Sequence, residues 1–193
     1  MIIKQNLYNG DFIHKRFAYK YYRKDINPTG NIVIFRAPMI VDTNLIDLED
    51  SLQKDYIASD DAINFCWEIP NLCPLGAVAF QRLFNTGVAT ILGQYINKPI
   101  EVDGDDLMVH DTFVGSDKKQ YDKGKVSVSI TYSTNNIAIG HTGININAGT
   151  NAPGFAYSTH LNDDQCNSFM QNINQYFYEI TNDMFIATTK IIV

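Results

Sequence analysis

Residues 123–147, KGKVSVSITYSTNNIAIGHTGININ, decide the fold. Val126, Val128 and Ile130 alternate with Ser127, Ser129 and Thr131, and Ile137, Ile139, Ile144 and Ile146 continue the rhythm beyond Thr134, Asn135 and Asn136. A side-chain period of two belongs to a strand, and an asparagine pair suits a tight turn. The stretch therefore predicts a hairpin with strands over 126–130 and 137–146. Gly124 and Lys125 stand at its mouth, and Gly140, His141, Thr142 and Gly143 interrupt its second arm. Glycine there lets backbone or ligand approach closely, so polar groups are expected at the rim of a core hairpin.

Working outward, 2–8 reads as a first strand closed by Asn9-Gly10, and Ile13, Phe17 and Tyr21 recur at helical spacing over 11–22. Residues 31–37 form a continuous apolar strand halted by Pro38, which sets Arg36 near the strand end. Leu45, Leu48 and Leu52 predict a helix or turn-rich excursion over 44–57, and Ser59-Asp60-Asp61 has the composition of a helix cap with an acidic first turn. Pro74 opens the longest helix, 75–95, with Val78, Leu83, Val88, Ile91 and Leu92 as its stripe. Strands over 100–102 and 107–109 flank Asp103-Gly104-Asp105-Asp106, and 115–123 is a polar loop. A last helix covers 160–182, and 186–193 reads as a β-rich tail. Strands and hairpins with three or four helices on one face make an α+β fold in a single domain, 1–193.

The 193 residues are 45% hydrophobic and 19% charged, ordinary for one globular domain. A net charge of −6 supplies no basic face for a phosphate backbone, which argues against stable nucleic-acid binding. Cys66, Cys73 and Cys166 form no close pair, and an odd count points to a reducing cytoplasm with the thiols buried. The first residues lack a basic region followed by an apolar run, and no segment approaches the roughly 20 apolar residues of a membrane span. No membrane attachment is expected.

The sharpest charge cluster is Asp47, Glu49 and Asp50 followed by Ser59, Asp60 and Asp61. Converging carboxylates grip a substrate amine or N–H edge, hold Mg²⁺, or divide acid and base roles; the bland alternative is a solvated helix face and a cap. Arg36 offers a two-pronged partner to a carboxylate or phosphate, or a structural ion pair to Asp47 or Glu49. Lys125 is a point charge for an anionic group, or a strand-end lysine reaching solvent. His14, His110 and His160 are scattered and show no metal-ligand spacing, and no Cys/His set suggests zinc. His141, between two glycines at a strand rim, is the histidine singled out for the substrate.

The Gly-Lys strand with its returning I-G-x-x-x-N-I strand resembles biotin and lipoate protein ligases. The wider chain resembles the DUF366 family of archaea and phages, through YNGDFIHKRFAY (8–19), VIFR (33–36), IDLED (46–50), SDDA (59–62), Gln81-Arg82-Leu83 and the hairpin. The resemblance implies a biotin/lipoate-ligase-like fold, related also to class II aminoacyl-tRNA synthetases, and a homodimer. It implies that Lys125 meets the carboxylate or acyl phosphate of a substrate, and it raises Asp47, Asp60 and Asp61 as site residues.

Neither an arginine-glycine run nor a G-R-G-R-x-G-like adenylate loop is present, nor a Walker or Rossmann glycine motif. The leading expectation is therefore an enzyme acting on a planar, nitrogen-rich small molecule, such as a modified purine of the 7-deazaguanine type. Lys125, Asp60 and Asp61 would be catalytic, and Arg36, Asp47, Glu49 and His141 would bind the substrate during acyl or amide transfer or decarboxylation. An ATP- and Mg²⁺-dependent acyl-adenylate ligase and a non-catalytic metabolite- or host-binding protein are the alternatives.

Overall fold

The structure is a computed structural model that describes residues 1–14, 16–53 and 56–190. Its centre is the expected hairpin, β6 (Ser127–Thr134) and β7 (Ile137–Asn147), closed between Thr134 and Ile137. Asn135 and Asn136 have φ of 49° and 62°. Two consecutive left-handed residues match the right-handed twist of the strands they join, and asparagine is the non-glycine residue that adopts that conformation most readily.

β7 does not stay on the strand margin. It pairs on its other side with β2 (Ile57–Pro70), which pairs in turn with β1 (Asn31–Val41), giving an antiparallel sheet in the order β1-β2-β7-β6. A central strand is covered on both faces, which is why β7 is buried almost throughout and why its isoleucines change parity. Ile144 and Ile146 face one core with Ala138, while Ile139 faces the other.

The first core lies beneath α4 (Pro74–Ile96) and α5 (Asp163–Thr189). Pro74 sits at the start of α4 behind the Cys73 cap, where a missing N–H is harmless. Asn162 and Gln165 close a reciprocal capping box on α5. By length and composition α4 would suffice to cross a membrane, contrary to the sequence expectation, but Phe80, Phe84, Val88 and Leu92 pack into this core. A smaller sheet, β3 (Ile100–Asp103), β4 (Asp106–Val114) and β5 (Gln120–Lys125), adjoins the large one. Val126 joins the two, donating to Leu107 O and accepting from Asn145 N, both at 2.9 Å.

On the opposite face the chain start lies parallel to β1, with Tyr8 N–H on Pro38 O and Ile40 N–H on Tyr8 O, both 2.9 Å. Pro38 does not end β1, because it sits at a bulge on an edge strand. The helix expected over 11–22 is two short ones, α1 (Asp11–His14) and α2 (Ala18–Tyr22). Buried Glu68 of β2 takes the bend: it accepts from Phe17 N (2.9 Å), Ala18 N (3.1 Å) and twice from Arg16 (3.0 Å). A distant carboxylate therefore satisfies N–H groups that a continuous helix would have paired internally.

Three further expectations are corrected. Ser59, Asp60 and Asp61 lie in β2, not at a helix cap; Ile63, Phe65, Trp67 and Ile69 behind them share one core at strand periodicity. The excursion over 44–57 holds only the short α3 (Leu48–Gln53), whose Leu48 and Leu52 are exposed. The β-rich tail is the end of α5, and 191–193 lie outside the described residues. Cys66 and Cys166 are buried, but Cys73 is exposed and caps α4 through its sulfur.

Candidate functional site

A cavity of about 560 Å³ opens on the face of the large sheet away from α4 and α5. Its floor is Val128 and Ile130 of β6 with His141 and Asn145 of β7, and Tyr8, Gly10 and Ile13 wall one side. Asp47, Glu49, Asp50 and Tyr56 come from the segment between β1 and β2, Asp105 and Asp106 from the β3–β4 turn, and Phe155 from the connection to α5.

Lys125 lines this cavity, but it does not open the hairpin strand as expected. It is the last residue of β5, where the chain passes from the small sheet to the large one. Its backbone is held on both sides, donating to Phe155 O (2.9 Å) and accepting from Tyr157 N (2.8 Å). Gly124 must be glycine: a Cβ there would come within 2.6 Å of the Phe113 ring. The ammonium contacts Asp106 at 2.7 Å with both side chains about one-third exposed, so the charge is anchored and still reachable. The Asp105–Asp106 turn is fixed from α4, where Asn85 donates to Asp105 O (2.9 Å) and Arg82 approaches the Asp105 carboxylate at 3.6 Å.

His141 is fully enclosed, stacked on Tyr8 with centroids 3.9 Å apart and planes 10° from parallel. Asn64 donates to Ala37 O and Ala62 O, each 3.3 Å, which turns its Oδ1 toward His141 Nε2 at 2.9 Å. That partner assigns the ring proton to Nε2. Burial pushes the imidazole pKa down to about 3, so His141 is neutral at ordinary pH.

Asp47 and Glu49 also line the cavity. Asp47 begins α3 as well, its Oδ1 accepting from Glu49 N at 2.8 Å and Asp50 N at 3.3 Å. Arg36, Asp60 and Asp61 are placed elsewhere. Arg36 shares strand parity with Ile32 and Ile34 and so faces α5, where it forks onto Asp61 (2.6–3.0 Å) and reaches Asp163 at 2.7 Å. This is a structural ion pair that ties the start of α5 to the sheet. Asp60 is exposed and covers Gly149, whose added Cβ would lie 2.1 Å from the carboxylate carbon. Asp61 therefore meets Arg36 as expected, but Arg36, Asp60 and Asp61 are not among the residues that line the cavity with Asp47 and Glu49, so the five do not form one cluster there.

Sequence reasoning missed Asn145, Tyr8, Asp105 and Asp106. Asn145 had a readable signal, since it shares parity with His141 and Gly143 on β7. Its side chain is buried, and its Oδ1 is one of two buried side-chain polar atoms without a hydrogen-bond partner among the described residues. Among the described residues, five carboxylates and one ammonium line the cavity. That set does not fit a triphosphate, which requires a concentration of positive charge. Among the described residues no group of three or more His, Cys, Asp or Glu side chains is arranged to hold a metal ion.

The model of the family described as "Domain of unknown function (DUF366)" matches residues 1–192. A protein of unknown function from Pyrococcus horikoshi is similar in structure, with 20% identity, a TM-score of 0.79, and coverage of 100% of this chain and 98% of its own. The biotin protein ligase of Aquifex aeolicus, in complex with biotin and ATP, is 12% identical at a TM-score of 0.55, over 94% of this chain and 70% of its own. P. falciparum LipL1, in complex with lipoate, is 13% identical at 0.53, over 93% of this chain and 60% of its own. These likenesses establish a biotin/lipoate-ligase-like fold. No curated protein sequence matches the chain.

Proposed function

The chain belongs to the DUF366 family, and on its ligase-like fold we propose that it is a cytoplasmic small-molecule enzyme that binds an organic acid with the carboxyl group at Lys125 and acts there by acyl or amide transfer or by decarboxylation. One observation carries this reading: an ammonium, the one among the described residues that line the cavity, is fixed through its own backbone and through Asp106 beside carboxylates, apolar side chains and neutral polar groups such as Asn44 and Ser127. Charge held in place before the ligand arrives acts on the step in which the charge of the acyl group changes. Asp47 and Glu49 supply acceptors for the remainder of the ligand.

A planar, nitrogen-rich substrate of the modified-purine type is the second reading. The acceptors of Asp47 and Glu49 on the cavity lining favour it, because such a ring presents N–H donors at its edge.

Native mass spectrometry of the purified protein, followed by calorimetry and product analysis with the ligand it carries, tests both. Lys125→Ala is expected to reduce turnover by about 100- to 1,000-fold, the scale of losing one preorganised charge at the reacting group. It should change stability by less than about 1 kcal/mol, because the Asp106 pair is partly exposed. A sharp fall in melting temperature with ligand binding intact would make Lys125 structural. Binding without conversion would leave a metabolite-binding protein.

A further inference from the structure

We infer that the Tyr8 hydroxyl is the second fixed contact of the ligand, donating a hydrogen bond to an acceptor, a carbonyl oxygen or ring nitrogen, at the end opposite the carboxylate. The inference rests on the reading of Lys125 as the seat of that carboxylate, and it narrows the ligand to an elongated acid with a distal acceptor. It begins from a hydroxyl that the protein leaves unused. Tyr8 and Tyr157 are the two buried tyrosines among the described residues, at 3% and 7% exposed. Tyr157 donates to Asp111 at 2.8 Å, as a buried phenol ordinarily does to some partner. Tyr132, which neighbours Tyr8, donates to Ile13 O. The Tyr8 hydroxyl has no hydrogen-bond partner among the described residues.

Burial shows where the hydroxyl points. Two enclosed side-chain polar atoms among the described residues lack a partner, Trp67 Nε1 and Asn145 Oδ1, and the Tyr8 oxygen is not one of them. It is therefore unpartnered and yet in contact with open space, and the open space that Tyr8 borders is the cavity. The rest of the side chain is packed: one ring face lies on His141 at 3.9 Å, and Phe35 stands against it with centroids 6.4 Å apart. Its backbone is pinned to β1 through Pro38 O and Ile40 N, both at 2.9 Å. The hydroxyl is thus set in place before a ligand arrives, so binding does not have to order it. Burial raises the phenol pKa, so the group keeps its proton and donates.

The remaining lining explains why a donor there selects. The carboxylates of Asp47 and Glu49 are acceptors, so they take the ligand's N–H or O–H groups. Donors are more committed: Tyr56, the other tyrosine of the lining, donates to Asn151 O at 2.7 Å, and Asn44 donates to Asn9 O and Asp11. Lys125 and Tyr8 retain capacity, and strand register separates them. Tyr8 lies on His141, while Lys125 precedes Val126, whose O accepts from Asn145 N at 2.9 Å. His141 and Asn145 are four residues apart on β7, about 13 Å at strand rise, so the two donors stand at opposite ends of a floor that includes Val128 and Ile130. A ligand held at both has an apolar or flat body between its anion and its acceptor.

The test is calorimetry of the unaltered protein with acids matched in shape and differing only in the distal acceptor. These are 4-acetylbenzoate against 4-isopropylbenzoate, and the longer 3-(4-acetylphenyl)propionate against 3-(4-isopropylphenyl)propionate. In at least one pair the ketone is expected to bind about tenfold more tightly, the scale of one hydrogen bond to a preset donor. Tyr8→Phe, which removes one oxygen and keeps the ring, should abolish that preference and leave the affinity of the isopropyl acid within about twofold. It should leave the melting temperature of the ligand-free protein unchanged or higher. A lower melting temperature would show that the protein itself uses the hydroxyl, and a preference that survives Tyr8→Phe would put the acceptor elsewhere; either overturns the inference. If the members of each pair bind alike and Lys125→Ala weakens them all, the Tyr8 assignment fails and the Lys125 reading stands. If none of the four acids binds, or Lys125→Ala changes nothing, both fail.

Discussion

His141 shows how one enclosed residue gives the protein a pH response. With its pKa pushed from 6.5 to about 3 by burial, the ring takes up a proton near pH 6 in the unfolded chain but not in the folded one. The stability it permits is therefore complete above pH 6.5 and declines as pH falls toward 3, by about 3 kcal/mol at pH 4.5. Thermal melting between pH 7.5 and 4.5 should show that slope, and His141→Gln should flatten it whatever its effect at neutral pH. An unchanged slope would mean that other groups carry the acid response. Residue by residue, the sequence reading found Lys125, Asp47, Glu49 and His141, all of which line the cavity. It misplaced Arg36, although parity with Ile32 and Ile34 already directs that side chain to the other face. Asn145 went unread because a lone asparagine in an isoleucine strand has no chemical motif, and its one sequence signal, shared parity with His141, was not followed.

At the scale of elements, legibility followed whether the deciding partner was local. The β6–β7 hairpin was readable because its alternation and its turn lie within one stretch, and α4 because of its proline start, although Val78 and Leu83 of the expected stripe are exposed and Phe80 and Phe84 face the core with Val88 and Leu92. The 11–22 helix was not, since Glu68, some fifty positions away, captures the N–H groups at its bend. β5 was missed because a polar strand at a sheet margin, QYDKGK, has the composition of a loop. In β2 the acidic triplet outweighed an alternation, Ile63 to Ile69, that was present all along. The Glu68 bend carries its own prediction. Glu68→Ala leaves the Phe17 and Ala18 amides unpaired at a buried corner and should cost about 2–3 kcal/mol, with allowance for the exposed Arg16 partner. Because α1 brings Ile13 to the cavity wall, ligand affinity should fall with it. Chemical denaturation and calorimetry on the same sample check both, and loss of stability with affinity unchanged would detach the corner from the site.

For the whole molecule, what matters is how the two margins of the large sheet are treated. Along β1 the margin is occupied: Ile3 and Tyr8 donate to Ile34 O and Pro38 O, while Ile34 and Ile40 donate back to Met1 O and Tyr8 O, at 2.8–2.9 Å. At the other margin, β6 meets β4 only at its start, where Leu107 N reaches Ser127 Oγ at 2.8 Å and Val126 N reaches Leu107 O. Beyond Ser127, among the described residues, its backbone ladder runs to β7 alone. An unpaired strand edge is a template for another strand, and proteins cover it or use it. We propose that a second copy of the chain pairs there about a twofold axis, an arrangement in which the same strand serves both partners. Light scattering at micromolar concentration should then give twice the 21.8 kDa mass of the chain. Thr131→Lys, which sets two like charges across the axis, should give the single mass while leaving ligand affinity within about twofold, because Thr131 is not among the residues that line the cavity. A monomer in the unaltered protein at that concentration would show that the margin is left open, and the solubility provided by its net charge of −6 would then be its protection against edge-to-edge aggregation.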